Sequence, residues 1–171
     1  MKISHLLIII FIGFVCPSCS YSLKLSGSTI PLNMKTIRID FFENNAALVV
    51  NTLSTSFTEA LKDRIRTTTR LSIVRGEADA VLSGSITDYT IAPVSIPATA
   101  NNVAPIANQS RLTITVNVKY VNDLQKKDNF EQTFTKFENY TGDINSQETT
   151  LIADITKQLT EDIFNKAFDN W

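Results

Sequence analysis

The chain is almost free of the residues on which most catalytic and metal sites depend. Only one of its 171 residues is a histidine, His5, and only two are cysteines, Cys16 and Cys19. If the N-terminal segment 1–18 is removed during export, no histidine and only one cysteine, Cys19, remain. Ser-His-Asp and Cys-His catalytic sites, and zinc sites built from histidine and cysteine, are then excluded. Carboxylate pairs can hydrolyse glycosides, but the acidic residues are scattered. We therefore expect no enzyme activity, no metal and no cofactor.

Neither sign of charge dominates the chain, which has 16 Lys and Arg against 17 Asp and Glu. A nucleic-acid-binding domain would need a basic field. The charge balance therefore predicts no nucleic-acid partner, and any anionic lipid would have to be bound by a local group of cations.

The apolar stretch of residues 6–15 is too short to span a bilayer, which takes about 20 residues in a helix. It follows the positive Lys2 and precedes the small Ser18. This order of charged, apolar and small residues is typical of a secretory signal. We expect a signal peptide over residues 1–18.

Cys19 directly follows that predicted cleavage point, and the segment resembles a bacterial lipobox. The resemblance implies that Cys19 is lipidated, and two or three acyl chains would make the attachment durable. Cys16 is a poorer candidate, because bulky Val15 precedes it and Pro17 follows it. The alternative is an ordinary secreted protein in which Cys19 stays a free thiol. No acidic residue directly follows Cys19, and in similar lipoproteins this favours the outer membrane.

The chain after the signal is long enough for one domain with a core and too short for two. We expect a lipidated N-terminus and tether over residues 19–33, and a single α/β domain over residues 34–171.

Hydrophobic periodicity predicts the order β-α-β-β-β-α. Alternating apolar and polar residues predict strands over Lys35–Phe42, Leu71–Tyr89 with a turn at 75–77, Arg111–Val121 and Phe130–Tyr140. Apolar stripes at helical spacing predict two helices, over Ala46–Thr67 with Asn45 as its cap and over Gln147–Phe168 with a capping box from Asn145 to Glu148.

The segment Ile91–Ser110 differs from the rest of the chain, since it has three prolines, many alanines and no charge. Proline lacks the amide that a central strand needs. We interpret the segment as a long connection between strands, and its uncharged composition favours docking against a partner.

A strand, a helix and a second strand predict a parallel pair, after which the remaining strands return as an antiparallel meander. Both helices then bury their stripes on one face of the sheet. The predicted fold class is α/β (α+β): a two-layer sandwich with two helices on one face of a mixed four-stranded sheet. The other face would be polar, rich in Thr, Ser and Asn.

Several segments in this order resemble the LptE family of lipopolysaccharide-assembly lipoproteins, in the form found in Bacteroidetes-type bacteria. The segments that carry the resemblance are Cys19 with Tyr21-Ser22 and Ser26-Gly27, the strand Lys35–Phe42 with Glu43-Asn44, the stretch Ala78–Tyr89, and the strand Leu112–Tyr120. No single motif is diagnostic, and the order of the segments is what resembles the family.

The resemblance implies an outer-membrane lipoprotein, anchored by lipid and facing the periplasm and the lumen of an LptD-like β-barrel. Such a protein plugs the barrel, helps it to assemble and assists the insertion of lipopolysaccharide into the outer membrane. Basic residues contact lipopolysaccharide in this family. The candidates here, each of which is also readily interpreted as a solvated surface charge, are Arg75, Arg111, Lys119, Lys126 and Lys127.

Two other functions remain open from the sequence. The chain could be a lipoprotein accessory of another envelope complex for lipid trafficking or secretion. It could also be a stand-alone anchored binding module.

Overall fold

The computed structural model of the chain describes residues 30–94 and 109–168. Cys19 and most of the long connection lie outside the described residues. The elements are β1 (Thr36–Ile39), β2 (Glu43–Asn44), α1 (Leu53–Thr68), β3 (Ser72–Val74), β4 (Ala80–Pro93), β5 (Gln109–Asn122), β6 (Phe130–Thr141) and α2 (Glu148–Phe168). Short 3-10 helices at Lys126–Asp128 and Ile144–Ser146 precede β6 and α2.

The sheet has six strands in the described ranges, and the prediction of four was wrong. Its order is β3-β1-β4-β5-β6, and β2 pairs with β4. The pairs of β1 with β3 and with β4 are parallel, whereas β4-β5-β6 is an antiparallel meander. The predicted parallel pair and the meander are therefore confirmed, and the α+β class holds.

The first additional strand arises because the predicted strand Lys35–Phe42 ends early. β1 stops at Ile39, and β2 then pairs Glu43 and Asn44 with β4 further along its length. Between them Phe42 is fully buried, and its ring centroid lies 5.1 Å from that of Phe57 in α1. The chain therefore bends between β1 and β2, where the Phe42 side chain enters the core. The alternation of apolar and polar residues in Lys35–Phe42 does not predict this bend.

The second additional strand arises because the predicted strand Leu71–Tyr89 is two strands on opposite sides of β1. The connection between β3 and β4 crosses from one side of β1 to the other. Asp79, which lies in this connection, binds the chain at the start of β1. One carboxylate oxygen of Asp79 accepts hydrogen bonds from the amides of Lys35 at 2.8 Å and Thr36 at 2.9 Å, and from the Thr36 hydroxyl at 3.0 Å. The two amides, followed by the hydroxyl, lower the pKa of the Asp79 carboxyl.

The helices pack their apolar stripes on one face of the sheet, as predicted. The buried residues of α1 include Phe57, Leu61 and Ile65, and those of α2 include Ile155 and Leu159. The buried hydrophobic side chains of the described residues form one cluster, which extends from Met34 to Phe168.

The predicted start of the first helix was wrong. Asn45 does not cap it, because the chain at Asn45 still runs beside β4, where the backbone amide of Asn45 donates to the carbonyl of Ile86. The helix begins instead at Leu53, with Thr52 before it and no side-chain cap.

The second helix begins within one residue of its predicted start, but the predicted capping box does not form. Asp143 caps the preceding 3-10 helix by accepting from the Asn145 amide. Glu148 turns to Tyr89 instead.

The predicted connection Ile91–Ser110 is shorter than expected, because its ends are strand. β4 continues to Pro93 and β5 begins at Gln109, with Pro93 opposite Ser110 on the last rung. A proline at the end of a ladder is tolerated where one inside it is not. The rest of the connection, residues 95–108, lies outside the described residues.

Candidate functional site: the open face of the sheet

The face of the sheet turned away from the helices is polar, as predicted. Along β5, Leu112, Ile114, Val116, Val118 and Tyr120 are buried against the helices, and the residues between them lie on the open face. Because side chains alternate along a strand, the matching rows on the neighbouring strands lie on the same face. The polar residues on this open face include Ser83, Ser85, Thr90, Thr113, Thr115, Asn117, Lys119, Thr133, Thr135 and Asn139.

Hydroxyl and amide groups bridge the strands across the middle of the open face. The hydroxyls of Thr115 and Thr135 are 3.0 Å apart, and the Asn117 amide nitrogen lies 3.5 Å from the Thr133 hydroxyl. Thr87, at a bulge in β4, donates to the Thr115 carbonyl at 3.3 Å. These groups hold no titratable pair, so the arrangement suits docking and hydrogen bonding, with no nucleophile or general base among them.

Arg111 is held at the end of this face that adjoins the long connection. Its guanidinium carbon lies 3.9 Å from the centroid of the Phe137 ring, and its Nε donates to Asn139 Oδ1 at 2.9 Å. Among the described residues no carboxylate lies within ion-pair distance of Arg111. The terminal nitrogens of the guanidinium therefore remain able to donate to an anionic group.

The other predicted contact residues do not join Arg111 in one site. Lys119 lies on the same strand, but about 26 Å away at about 3.3 Å per residue, and its Nζ lies 4.0 Å from Glu131. Lys126 and Lys127 lie in the turn between β5 and β6. Arg75 lies after β3 near the opposite edge of the sheet. The five cations are therefore dispersed over the domain.

Phe137 and Asn139 were missed from the sequence as partners of Arg111. The sequence placed both residues in the predicted strand Phe130–Tyr140. It did not give the register between β5 and β6, which sets Arg111 opposite Asn139. With the register known, the alternation of side chains places Phe137 and Asn139 on the same face of the sheet as Arg111.

A groove of about 630 Å³ lies between α1 and α2, and small side chains dominate its lining. It includes Thr156, whose buried hydroxyl has no hydrogen-bond partner among the described residues. Arg64, one of its lining residues, forms an ion pair with Glu161 of α2 at 3.5 Å. The groove brings together none of the predicted site residues.

Two buried tyrosines have strongly raised pKa values. Burial, followed by the hydrogen bond to Glu148, raises the pKa of Tyr89 well above its ordinary value, and burial raises the pKa of Tyr120 to about 12. Both are protonated at neutral pH and act in packing and hydrogen bonding.

The family model of LptE, described as lipopolysaccharide-assembly, matches residues 34–167, which is most of the chain. The chain belongs to the LptE family. No curated protein matches the sequence significantly.

Solved structures with similar folds come from several bacteria. A hypothetical protein from Chlamydia trachomatis is 10% identical with a TM-score of 0.51, covering 75% of this chain and 93% of that one. Lipoprotein B from Nitrosomonas europaea is 14% identical with a TM-score of 0.49, covering 77% and 80%. A minor lipoprotein from Acinetobacter baumannii is 19% identical with a TM-score of 0.47, covering 79% and 96%. At this identity the Chlamydia structure shows a similar fold and nothing further.

Neither helix in the described ranges is both long and apolar enough to cross a membrane.

Proposed function

We propose that this LptE-family chain is an outer-membrane lipoprotein that plugs an LptD-like barrel and helps it to assemble. It assists the insertion of lipopolysaccharide into the outer membrane, and it is not an enzyme. The observation that carries the proposal is the family match over residues 34–167, which spans all six strands and nearly all of both helices.

The open face supports a role inside a wet barrel. Its hydroxyls and amides hydrogen-bond to one another across the strands, as Thr115 does with Thr135. The same groups can instead form hydrogen bonds with water or with polar groups that line a lumen. Such an exchange changes the free energy only modestly, because each lost hydrogen bond is replaced by another.

We further propose that Cys19 carries the acyl chains and that residues 19–33 tether the domain 34–171 to the membrane after removal of the signal 1–18. Two acyl chains or more would hold the protein durably, since one chain holds only marginally. The tether then leaves the folded domain free to enter the barrel.

For lipopolysaccharide, Arg111 is the best placed of the five candidate cations. The Phe137 ring and the Asn139 side chain orient its guanidinium before any ligand arrives. An oriented guanidinium binds phosphate with two parallel hydrogen bonds. Lys119, by contrast, already faces Glu131.

Co-purification tests the proposal. Tagged protein extracted from detergent-solubilised outer membranes should bring down one large barrel protein. The Cys19→Ala variant should lack acyl mass and appear in the soluble periplasmic fraction. Recovery of an inner-membrane ATPase complex would contradict the barrel assignment, as would recovery of the tagged protein alone.

A further inference from the structure

A cleft at the β3 edge of the sheet brings four cations together. It encloses about 750 Å³ between the outer side of α1, the C-terminal end of β1 and β3 itself. β3 is the terminal strand on this side, so no strand of the described chain covers the cleft. The four cations are Arg38, Lys62, Arg66 and Arg75.

Two elements hold these cations in position. On α1, Lys62 and Arg66 are four residues apart and therefore lie on the same side of the helix. On β1, Arg38 pairs with Val74, which is the residue before Arg75. The cluster thus forms where the helix meets the edge of the sheet, and the spacing of these residues in the sequence does not show it.

The two arginines at the strand end of the cleft can still bind a ligand. Arg75 is exposed, and no carboxylate in the described ranges lies within ion-pair distance of it. Arg38 donates from Nε to Asp40 at 2.9 Å, and its Nη1 lies 3.5 Å from the carbonyl oxygen of Gly76. Both guanidinium groups therefore retain nitrogens that can donate to an anion.

Positive charge also dominates on the α1 side of the cleft. Lys62 Nζ lies 2.8 Å from Glu59, and Arg66 pairs with Asp63, which lies outside the lining. The hydrogen bond and the charge of Lys62, and to a smaller extent the charge of Arg66, lower the pKa of the Glu59 carboxyl. Over the whole cleft the four cations face two carboxylates, Asp40 and Glu59.

A compact anion suits this cleft better than an added peptide strand. β3 has only three residues, Ser72–Val74, and the charge of Arg75 follows directly. Short strands and charged edges are devices that prevent edge pairing. A phosphate monoester carries a charge of about −1.5 to −2 at neutral pH and has three strong acceptor oxygens. This charge matches the excess of cations over carboxylates in the lining.

An apolar side chain lies beside the cations. Phe41 lines the cleft and is 55% exposed. Binding to an anionic membrane surface combines electrostatic attraction with the burial of apolar groups. Phe41 therefore favours a phosphate that is carried by a lipid headgroup over a free phosphate ion.

We propose that this cleft binds a phosphate monoester, with Arg75 and Arg38 as its donors and with Lys62 and Arg66 as supporting charges. The site is separate from Arg111, since β1 and β4 lie between β3 and β5. It does not depend on the barrel partner proposed above, so the two proposals can fail independently.

Vesicle binding tests the site. The chain from Ser20 onward retains every element and every buried residue described above, and it has no acyl chain that would hold it on a membrane. It should bind phosphatidylcholine vesicles that contain phosphatidic acid, which is a monoester. Vesicles in which phosphatidylglycerol, a diester, gives the same surface charge should bind it less tightly. Equal binding to the two kinds of vesicle would overturn the proposal, because it would show attraction to charge alone.

Arg75→Gln should weaken binding to the phosphatidic acid vesicles by about fivefold, since one cation at an anionic membrane surface contributes about that factor. Arg70→Gln is the matched control, because it removes the same charge from an exposed arginine that does not line the cleft. Five positions of extended chain span up to about 17 Å, which exceeds the Debye length of about 8 Å at physiological salt. The control should therefore change the affinity by less than about twofold. Equal effects of the two variants would overturn the proposal.

Glu59→Gln tests the site in the opposite direction. It removes one carboxylate from the lining and releases Lys62 from its ion pair. Binding to the phosphatidic acid vesicles should become about twofold to fivefold tighter, and loss of folding could not produce such a gain. Unchanged or weaker binding by this variant would contradict the assignment of the ligand to this cleft.

Inorganic phosphate identifies the source of the group. At constant ionic strength it should displace the chain from the phosphatidic acid vesicles, whereas chloride should not. A chain that binds inorganic phosphate at Arg75, followed by nuclear magnetic resonance, but binds no vesicles would support the site with a soluble phosphate as its ligand. Failure of inorganic phosphate to bind or to displace the chain would overturn the proposal. More effective displacement by a polyglutamate peptide would also overturn it and would identify the cleft as a peptide site.

Discussion

The hydroxyl of Tyr89 donates a hydrogen bond of 2.6 Å to Glu148 Oε1. This bond joins the C-terminal half of β4 to the first turn of α2. The two residues are 59 positions apart in the chain. Tyr89 is only 2% exposed, so its hydroxyl depends on this single partner. The bond places the start of the second helix over the sheet.

Replacing Tyr89 by phenylalanine should destabilise the domain by about 1–3 kcal/mol. The variant removes a hydrogen bond to an ionised group, and such bonds contribute about that much. Urea unfolding followed by circular dichroism would measure the change. Tyr140→Phe is the control, because Tyr140 is also buried but makes no side-chain hydrogen bond in the described ranges. Equal losses from both variants would mean that the bond to Glu148 contributes nothing specific.

The raised pKa values of Tyr89 and Tyr120 predict a loss of stability at alkaline pH. A tyrosine whose pKa is higher in the folded state contributes stability that is fully present below its unfolded pKa, about 10. That stability is lost as the pH rises towards the folded pKa, which for Tyr120 is about 12. The free energy of unfolding should therefore fall between about pH 10 and pH 12.

The measurement is denaturant unfolding at a series of alkaline pH values, with phenolate formation followed by its ultraviolet absorbance. Tyr89→Phe and Tyr120→Phe should each make the fall shallower. An unfolding free energy that does not change across this range would contradict the assignment of the two buried hydroxyls.

Local patterns predicted those parts of the fold that depend on local chemistry. The alternation of residues 111–121 identified the buried row of β5, and the apolar stripe ending at Phe168 located α2 almost to the residue. Both follow from the side-chain periods of a strand and a helix.

Features that depend on distant partners could not be predicted. β3 and β4 lie on opposite sides of β1, and Asp79, in the connection between them, binds the amides of Lys35 and Thr36, more than 40 positions away. Asn45 was predicted to cap the first helix, but its backbone amide pairs with the carbonyl of Ile86 and the helix begins only at Leu53. At the candidate site Arg111 was identified as a cation, whereas its partners required the strand register.

Gly84 allows β1–β2 and β5 to approach β4 closely. A Cβ built on Gly84 would lie 2.1 Å from the carbonyl oxygen of Asn117 and 2.7 Å from the Phe42 ring. Because the first of these atoms is backbone, the strands would have to move apart. Gly84→Ala should therefore cost about 1–3 kcal/mol, as overpacking does.

Gly76→Ala is the control for that variant, since a Cβ at Gly76 meets nothing within 4 Å. It should change stability by no more than about 0.5 kcal/mol. Thermal or urea unfolding of both variants measures the difference, and a Gly84→Ala protein as stable as the Gly76→Ala protein would contradict the close approach.

Arg111→Lys should weaken binding of lipopolysaccharide even though it keeps the positive charge. Lysine has no planar guanidinium to stack on the Phe137 ring. Its single side-chain nitrogen also cannot replace the Arg111 Nε, which donates to Asn139, and the two terminal nitrogens that remain for a phosphate. We expect about a threefold to tenfold loss of affinity, equivalent to about 0.7–1.4 kcal/mol. Fluorescence anisotropy with labelled lipopolysaccharide measures the loss, and dephosphorylated lipopolysaccharide should bind the unmodified chain and the Arg111→Lys variant equally.

Lys126→Ala with Lys127→Ala is the control for a general effect of charge, because these lysines lie in the turn before β6. A double variant that binds less tightly than Arg111→Lys would assign the phosphate contact to that turn, and Arg111 would then be a surface charge held by Phe137 and Asn139.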